Sequence, residues 1–278
     1  LVANIGLIGF DYLYLMFGVN FVKLGLFEKH RNLMRDIRDF RKWCEDLVRR
    51  RMEALDAERK AGVTGKKRKN IVDLFYEQRI DNPEECLSDS EIVDEYIAFF
   101  SDGMDTTGHF VAMATYYLLV NPKHREKVLE EIDTYFPDPM KVDLETLNKM
   151  NYLTACMKET LRLAPPVVTG VERIALKDHK LAGINIKKGT VLMACHSANH
   201  FDPRFHDGPE KYDPIRWLQS SKTQECIKAN PSLFIPFSMG ARTCIGQHLG
   251  FNEGRIILCL FLKKFKYELA DKNYKLRF

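Results

Sequence analysis

The chain has 278 residues, 45% of them hydrophobic and 29% charged, a balance suited to a globular protein able to bury a sizeable core. Its net charge of +4 is too mild to make nucleic acid the default partner. Seven cysteines, an odd number without a CxxC pair, favour a reducing compartment over a disulfide framework.

Residues 1–27 form the most hydrophobic stretch, interrupted by Asn4, Asp11 and Asn20 and preceded by no basic flank. The polar residues argue against a membrane span and the missing flank against a signal peptide. From Glu28 to about Lys60, Leu33, Ile37, Phe40, Cys44, Leu47 and Val48 recur at helical spacing among Arg and Lys, predicting an amphipathic helix. Residues 62–70 carry a basic run, Lys66-Lys-Arg-Lys69, which reads as a solvated turn; a nuclear address and a polybasic membrane contact are its alternatives. Ile71 to Ile80 is a short helix broken by Asp81-Asn-Pro83.

A longer helix follows, with Ser88 or Ser90 as cap and Asp89, Glu91, Asp94 and Glu95 near its start. Its apolar set runs from Ile92 to Leu119 nearly all round the axis, which predicts burial. Asp102, Asp105, Thr106 and Thr107 interrupt it; such residues either back-bond and bend a helix or serve chemistry. Asn121-Pro122 opens another helix to Phe136, ended by Pro137-Asp-Pro139. Asn151 to Leu163 is helical up to Pro165-Pro166, and it places Glu159 and Arg162 on one face. Between Val167 and Cys195 the pattern shifts to strands at 171–174, 184–186 and 191–195, with a turn at Gly183. Histidines 109, 196, 200, 206 and 248 match no zinc spacing and read as ordinary polar residues.

The stretch Phe237-Ser-Met-Gly-Ala-Arg-Thr-Cys-Ile-Gly246 carries the chemistry. The apolar run from Arg255 to Leu262 predicts a helix beginning near Cys244, and a helix N-terminus favours a thiolate over a thiol. Gly240 and Gly246 let the backbone approach something flat and large. Arg242 offers a fork of donors suited to a carboxylate. Together they describe a socket for haem, with sulfur on iron and Arg242 on a propionate. At about 5% usage per specified position, so specific a five-residue pattern arises by chance in roughly one chain in ten thousand of this length.

The loop resembles the haem-binding segment of the cytochrome P-450 family, the haem-thiolate monooxygenases, and matches all five fixed positions: Phe237, Gly240, Arg242, Cys244 and Gly246. The resemblance implies a mainly α fold with a small β-sheet around haem b, Cys244 being the axial metal ligand. It implies that Glu159 and Arg162 join Arg216, from the segment Pro209 to Trp217, in a structural lock beneath the haem loop. Asp105 and Thr106 would organise proton delivery during oxygen activation, while Asp102 departs from the small residue usual there. Arg173 aligns with a strand arginine that meets the second propionate, with a surface salt bridge as the duller reading. Val167, Val168 and Thr169 would lie along the substrate cavity.

Under the same resemblance, residues 1–278 form one partial domain, truncated at the N-terminus and near the C-terminus. Residues 1–27 are roof helices and an apolar loop; 28–149 hold the oxygen-activation helix; 150–278 hold the core helix, sheet, meander and haem loop. The implied function is insertion of one oxygen atom from O2 into a small apolar substrate. No nucleotide-binding fingerprint is present, so electrons would come from an NADPH-dependent reductase or another electron-transfer protein. A membrane surface, at the cytosolic face of the endoplasmic reticulum, is the implied setting, and nucleic acid is not a partner. A haem-thiolate isomerase or lyase, or a non-catalytic truncated haem-binding product, are the alternatives.

Overall fold

The computed structural model describes residues 20–63, 69–136, 143–218, 221–271 and 273–276. The apolar segment expected over 1–27 therefore lies outside the described residues up to position 19. Most of the basic run and the Pro137-Asp-Pro139 helix stop lie outside them too. The architecture is mainly helical with small antiparallel sheets, as the sequence leads one to expect. None of the described helices is long and apolar enough to cross a membrane. The chain divides into two compact units, Leu1–Asp102 and Gly103–Phe278.

In the first unit, α1 (Glu28–Lys60) and α2 (Ile71–Asp81) precede the opening turns of α3 (Asp89–Val120). Cys44 and Val48 of α1 share a buried cluster with Val72 of α2 and with Ile92 and Val93 of α3. Polar ties frame that cluster: Arg41 donates to Asp94 at 2.5 Å and Arg51 to Asp73 at 2.6 Å. The start of α2 is fixed by a capping box between Asn70 and Asp73. Ser88 is the residue that caps α3, exchanging hydrogen bonds with Glu91, so the cap lies at the earlier of the two expected serines.

The second unit begins with the remainder of α3 and continues through α4 (Pro122–Tyr135), α5 (Leu144–Lys149) and α6 (Asn151–Leu163). Strand β1 (Arg173–Ile174) pairs antiparallel with β4 (Val191–Leu192), and β2 (His179–Leu181) with β3 (Ile184–Ile186). After α7 (His196–His200) come a 3-10 turn at Pro214–Trp217, α8 (Lys222–Ala229) and α9 (Gln247–Lys264). The core runs through Phe110, Ala114 and Leu118 of α3, Val128 and Ile132 of α4, Leu153 and Met157 of α6, and Leu258 and Leu262 of α9. Two long-range polar contacts hold the layers in register. Glu131 of α4 accepts from the backbone N–H groups of Tyr152 and Leu153, supplying α6 with the N-terminal acceptor its own sequence lacks. Arg255 of α9 donates to the Leu147 carbonyl at 2.9 Å.

Burial of α3 departs from the expectation. Ile92, Val93, Phe110, Ala114 and Leu118 are buried, yet Phe99, Phe100, Met104 and Val120 are exposed. An all-round apolar pattern records which surface favours cover; whether it is covered depends on what packs there.

Candidate functional site

Phe237 opens the cysteine loop by packing against the main core. The chain then turns back on itself. Ser238 and Gly240 both have positive φ, at 63° and 81°, and Cys244 N–H closes the loop onto the Phe237 carbonyl at 2.9 Å. Gly240 is the position where the left-handed backbone favours glycine, and an added Cβ there would meet nothing within 4 Å. A 3-10 turn, Gly240–Arg242, carries the arginine outward, and Thr243 hydrogen-bonds back to the Phe237 carbonyl.

Helix α9 has Gly246 as N-cap, so Cys244 stands two residues before the cap, where unpaired N–H groups and the helix dipole favour negative charge. Cys244 is exposed and free of any disulfide. Arg242 is exposed, and no carboxylate among the described residues pairs with it. Around them Met239, Ile245 and Leu249 present 53%, 84% and 68% of their surface to solvent. A sulfur, an unengaged guanidinium and a bare apolar rim on one loop fit haem: thiolate for iron, cation for propionate, hydrocarbon for the ring. A cleft of about 480 Å³ beside the loop is lined by Lys158, Phe237, Gln247, Phe251 and Arg255 among others, but not by Cys244.

The structure brings α3 against α9. Phe110 stacks on Phe251 with centroids 5.9 Å apart, and Thr107, buried, lies where a Cβ on Gly250 would approach its Oγ1 to 3.4 Å. Asp105 is exposed and Thr106 half-buried on the flank beside this contact face. Sequence reasoning singled out Asp105 and Thr106; the residue seated on the cysteine helix is Thr107, which helical phase alone could not select without knowing the partner.

Glu159, Arg162 and Arg216 are assembled into one buried cluster. Arg162 forks onto Glu159 at 2.8 and 2.9 Å, and Arg216 Nε donates to Glu159 Oε1 at 3.1 Å. Arg162 also donates to the carbonyls of His200, Pro209 and Lys211, which ties α6 to the segment ahead of the 3-10 turn. Burial pushes the Glu159 carboxyl up, but the Arg162 hydrogen bond, the charges of Arg162 and Arg216 and the Asp213 N–H outweigh it, leaving its pKa below the ordinary value. Trp217 Nε1 and Asp213 N–H, which sequence reading missed, both donate to Glu159 at 2.9 Å. The indole directly after Arg216 was the available signal.

Arg173 stands apart from this cluster, exposed at the start of β1 with Nη1 on the carbonyls of Val171 and Glu172. The salt bridge that was its duller reading is not formed among the described residues. No group of three or more His, Cys, Asp and Glu placed to hold a metal ion occurs among the described residues.

A family model described as Cytochrome P450 matches residues 9–277. The chain is 33% identical to Cytochrome P450 3A9 of Rattus norvegicus over 190 residues, which are 68% of this chain and 37% of that protein. It is 30% identical to Cytochrome P450 4V2 of Rattus norvegicus over 275 residues, 96% of this chain and 49% of that one. Identity to Cytochrome P450 monooxygenase LUC2 of Fusarium sp is 32% over 207 residues, covering 73% and 39%. The chain spans half or less of the length of these curated relatives.

Proposed function

This chain belongs to the cytochrome P450 family, and from that premise we propose that the whole protein is a haem-thiolate monooxygenase acting on a small apolar substrate. The observation that carries the reading is the loop from Phe237 to Gly246. It offers an exposed sulfur just ahead of a helix N-terminus whose helix packs on the α3 residue next to Asp105-Thr106. In the proposed complex, Cys244 holds haem b as a thiolate and Arg242 pairs with a propionate, while Phe237, Gly240 and Gly246 shape the loop. When bound, the haem supplies reductive activation of dioxygen, with electron density from the thiolate aiding O–O cleavage.

The chain's own residues then bind and move protons. Asp105, on the exposed flank of α3, and the adjacent Thr106 hydroxyl are assigned the passage of protons inward, a relay that general acid catalysis rewards with about 10²–10⁴-fold in rate. Arg173 is assigned to the second propionate, for which its guanidinium would release the Val171 and Glu172 carbonyls just ahead of its strand. Glu159, Arg162 and Arg216 keep the support beneath the loop rigid. Electrons come from a separate NADPH-dependent reductase or a similar electron-transfer protein. The exposed Leu24, Leu26 and Phe27 support contact with a membrane surface, at the cytosolic face of the endoplasmic reticulum.

The test is Cys244→Ala in the full-length protein. Loss of haem, and of the red-shifted Soret band of the reduced carbonyl complex, is expected; persistence of that band would remove the ligand assignment. Turnover that proceeds without any reductase would instead identify an isomerase or lyase.

A further inference from the structure

Within the second unit, the cleft of about 480 Å³ beside the cysteine loop gathers positive charge without a counter-ion. Its walls come from α5, α6, α9 and the start of the loop, and Leu144, Leu161, Phe237 and Phe251 make much of them apolar. Lys158 of α6 and Arg255 of α9 line it as cations, and none of its lining residues is acidic. Arg255 is only 5% exposed, yet every acceptor it meets among the described residues is neutral: the Leu147 carbonyl, Thr154 Oγ1, Asn148 Oδ1 and Asn252 Oδ1. Its Nε is buried with no hydrogen-bond partner among the described residues. Lys158 is half-buried and forms no ion pair among the described residues; its ammonium sits 5.9 Å over the Trp217 ring. The adjacent Glu159 does not serve it, because both carboxylate oxygens are taken by Arg162, Arg216, Trp217 and the Asp213 N–H. We propose that this cleft binds a small amphipathic carboxylate, its head on Lys158 and Arg255 and its hydrocarbon against Leu161, Phe237 and Phe251.

The chemistry of the ligand follows from what the walls lack. Positive charge withdrawn from water without an anion is costly, so the fold leaves a local demand that a bound anion meets. Burial lowers the pKa of both Lys158 and Arg255, the sign expected of cations held from water without a counter-charge, and a carboxylate beside them acts the opposite way. A carboxylate has two acceptor oxygens, one for the unpartnered Arg255 Nε and one for the ammonium, which as a compact charge sets few demands on direction. A bare inorganic anion would use the charge and leave the aromatic wall in water, whereas an aryl or acyl carboxylate covers both. The volume lies within the about 300–1,000 Å³ of small-molecule sites, which likewise combine apolar walls with a few placed polar groups.

The site rests on the geometry of α6 and α9 and not on the haem assignment, so it is tested by direct binding. The full-length protein is titrated calorimetrically with 2-naphthoate and with its neutral counterpart, 2-naphthamide. Naphthoate is expected to bind, and the amide to bind about tenfold more weakly, the difference one charge-assisted contact supplies. Lys158→Met keeps an apolar stem and should weaken naphthoate by about tenfold. Leu144→Trp, at an exposed position on the rim, narrows the cleft and should weaken naphthoate as well. Circular dichroism melts confirm that each variant is folded. No binding of naphthoate, equal affinity for the amide, or a naphthoate affinity unchanged in folded Lys158→Met and Leu144→Trp overturns the proposal.

Discussion

At Glu159 a carboxylate with no exposed surface is surrounded by donors from Arg162, Arg216, Trp217 and the Asp213 backbone. Buried charge is tolerable only while every partner stays, because removing one strands the others in a poorly solvating interior. Glu159→Gln keeps the shape but leaves two guanidinium groups uncompensated, and should cost about 3–5 kcal/mol, read from the urea midpoint. Arg162→Lys should also destabilise, since one ammonium cannot reach Glu159 and the carbonyls of His200, Pro209 and Lys211 together. Thr106→Ala addresses chemistry instead. Under the proposed function, the full-length protein carrying it should retain haem and the carbonyl Soret band, yet divert electrons to hydrogen peroxide. Unchanged coupling of electron use to product would remove Thr106 from the proton path.

Among the elements, α6 relies on a neighbouring helix to cap its start. Its N-cap Met150 offers no side-chain acceptor, and Glu131 from α4 does that work across 21 residues of sequence. A carboxylate at a helix N-terminus gains both hydrogen bonds and the favourable end of the dipole. Glu131→Ala should therefore cost about 1–2 kcal/mol and fray α6 first, visible as faster amide exchange at Tyr152 and Leu153. The contact between α3 and α9 is set by closeness rather than by polar ties. Gly254 leaves no room for more, because a Cβ there would come 3.1 Å from Met157 Cε and 3.2 Å from the Phe110 ring. This close approach holds the cysteine helix beside Thr107.

Across the molecule, acid is the stress the second unit is least built to bear. His200 has no exposed surface and neither ring nitrogen has a hydrogen-bond partner; burial, reinforced by His206 and Arg162, lowers its pKa from 6.5 to about 4. His206, equally enclosed, is likewise lowered to about 4, by burial and then by Arg162 and Arg216. In the unfolded chain these imidazoles take protons near 6.5, but in the fold they refuse them until about 4. The unfolded state thus binds more protons across that window, and stability falls as pH falls through it. Glu159, also lowered, adds a loss of the same sign below its ordinary value of 4.5. Urea midpoints should decline from pH 6.5 to 4, with a His200 share on the order of 3 kcal/mol. His200→Gln should flatten the decline, and a flat wild-type profile would contradict buried neutral imidazoles.

Much of the site was legible because its parts are local. The ten residues from Phe237 to Gly246 close on themselves through one backbone hydrogen bond, and Glu159 and Arg162 meet because one helical turn separates them. Helix bounds were legible for the same reason: the cap at Ser88 and the proline at position 122 act within a turn. Position in three dimensions was not. That Thr107 faces α9, that Glu131 caps α6, that Trp217 joins the Glu159 cluster, and that Tyr152 finds His124 all require segments far apart in sequence to pack together. The amino-acid order alone determined the family and the helical periods, since short-range spacing encodes them. Only the tertiary structure decided which flank of α3 is covered and which buried groups become partners, because packing is a property of the neighbours a residue acquires.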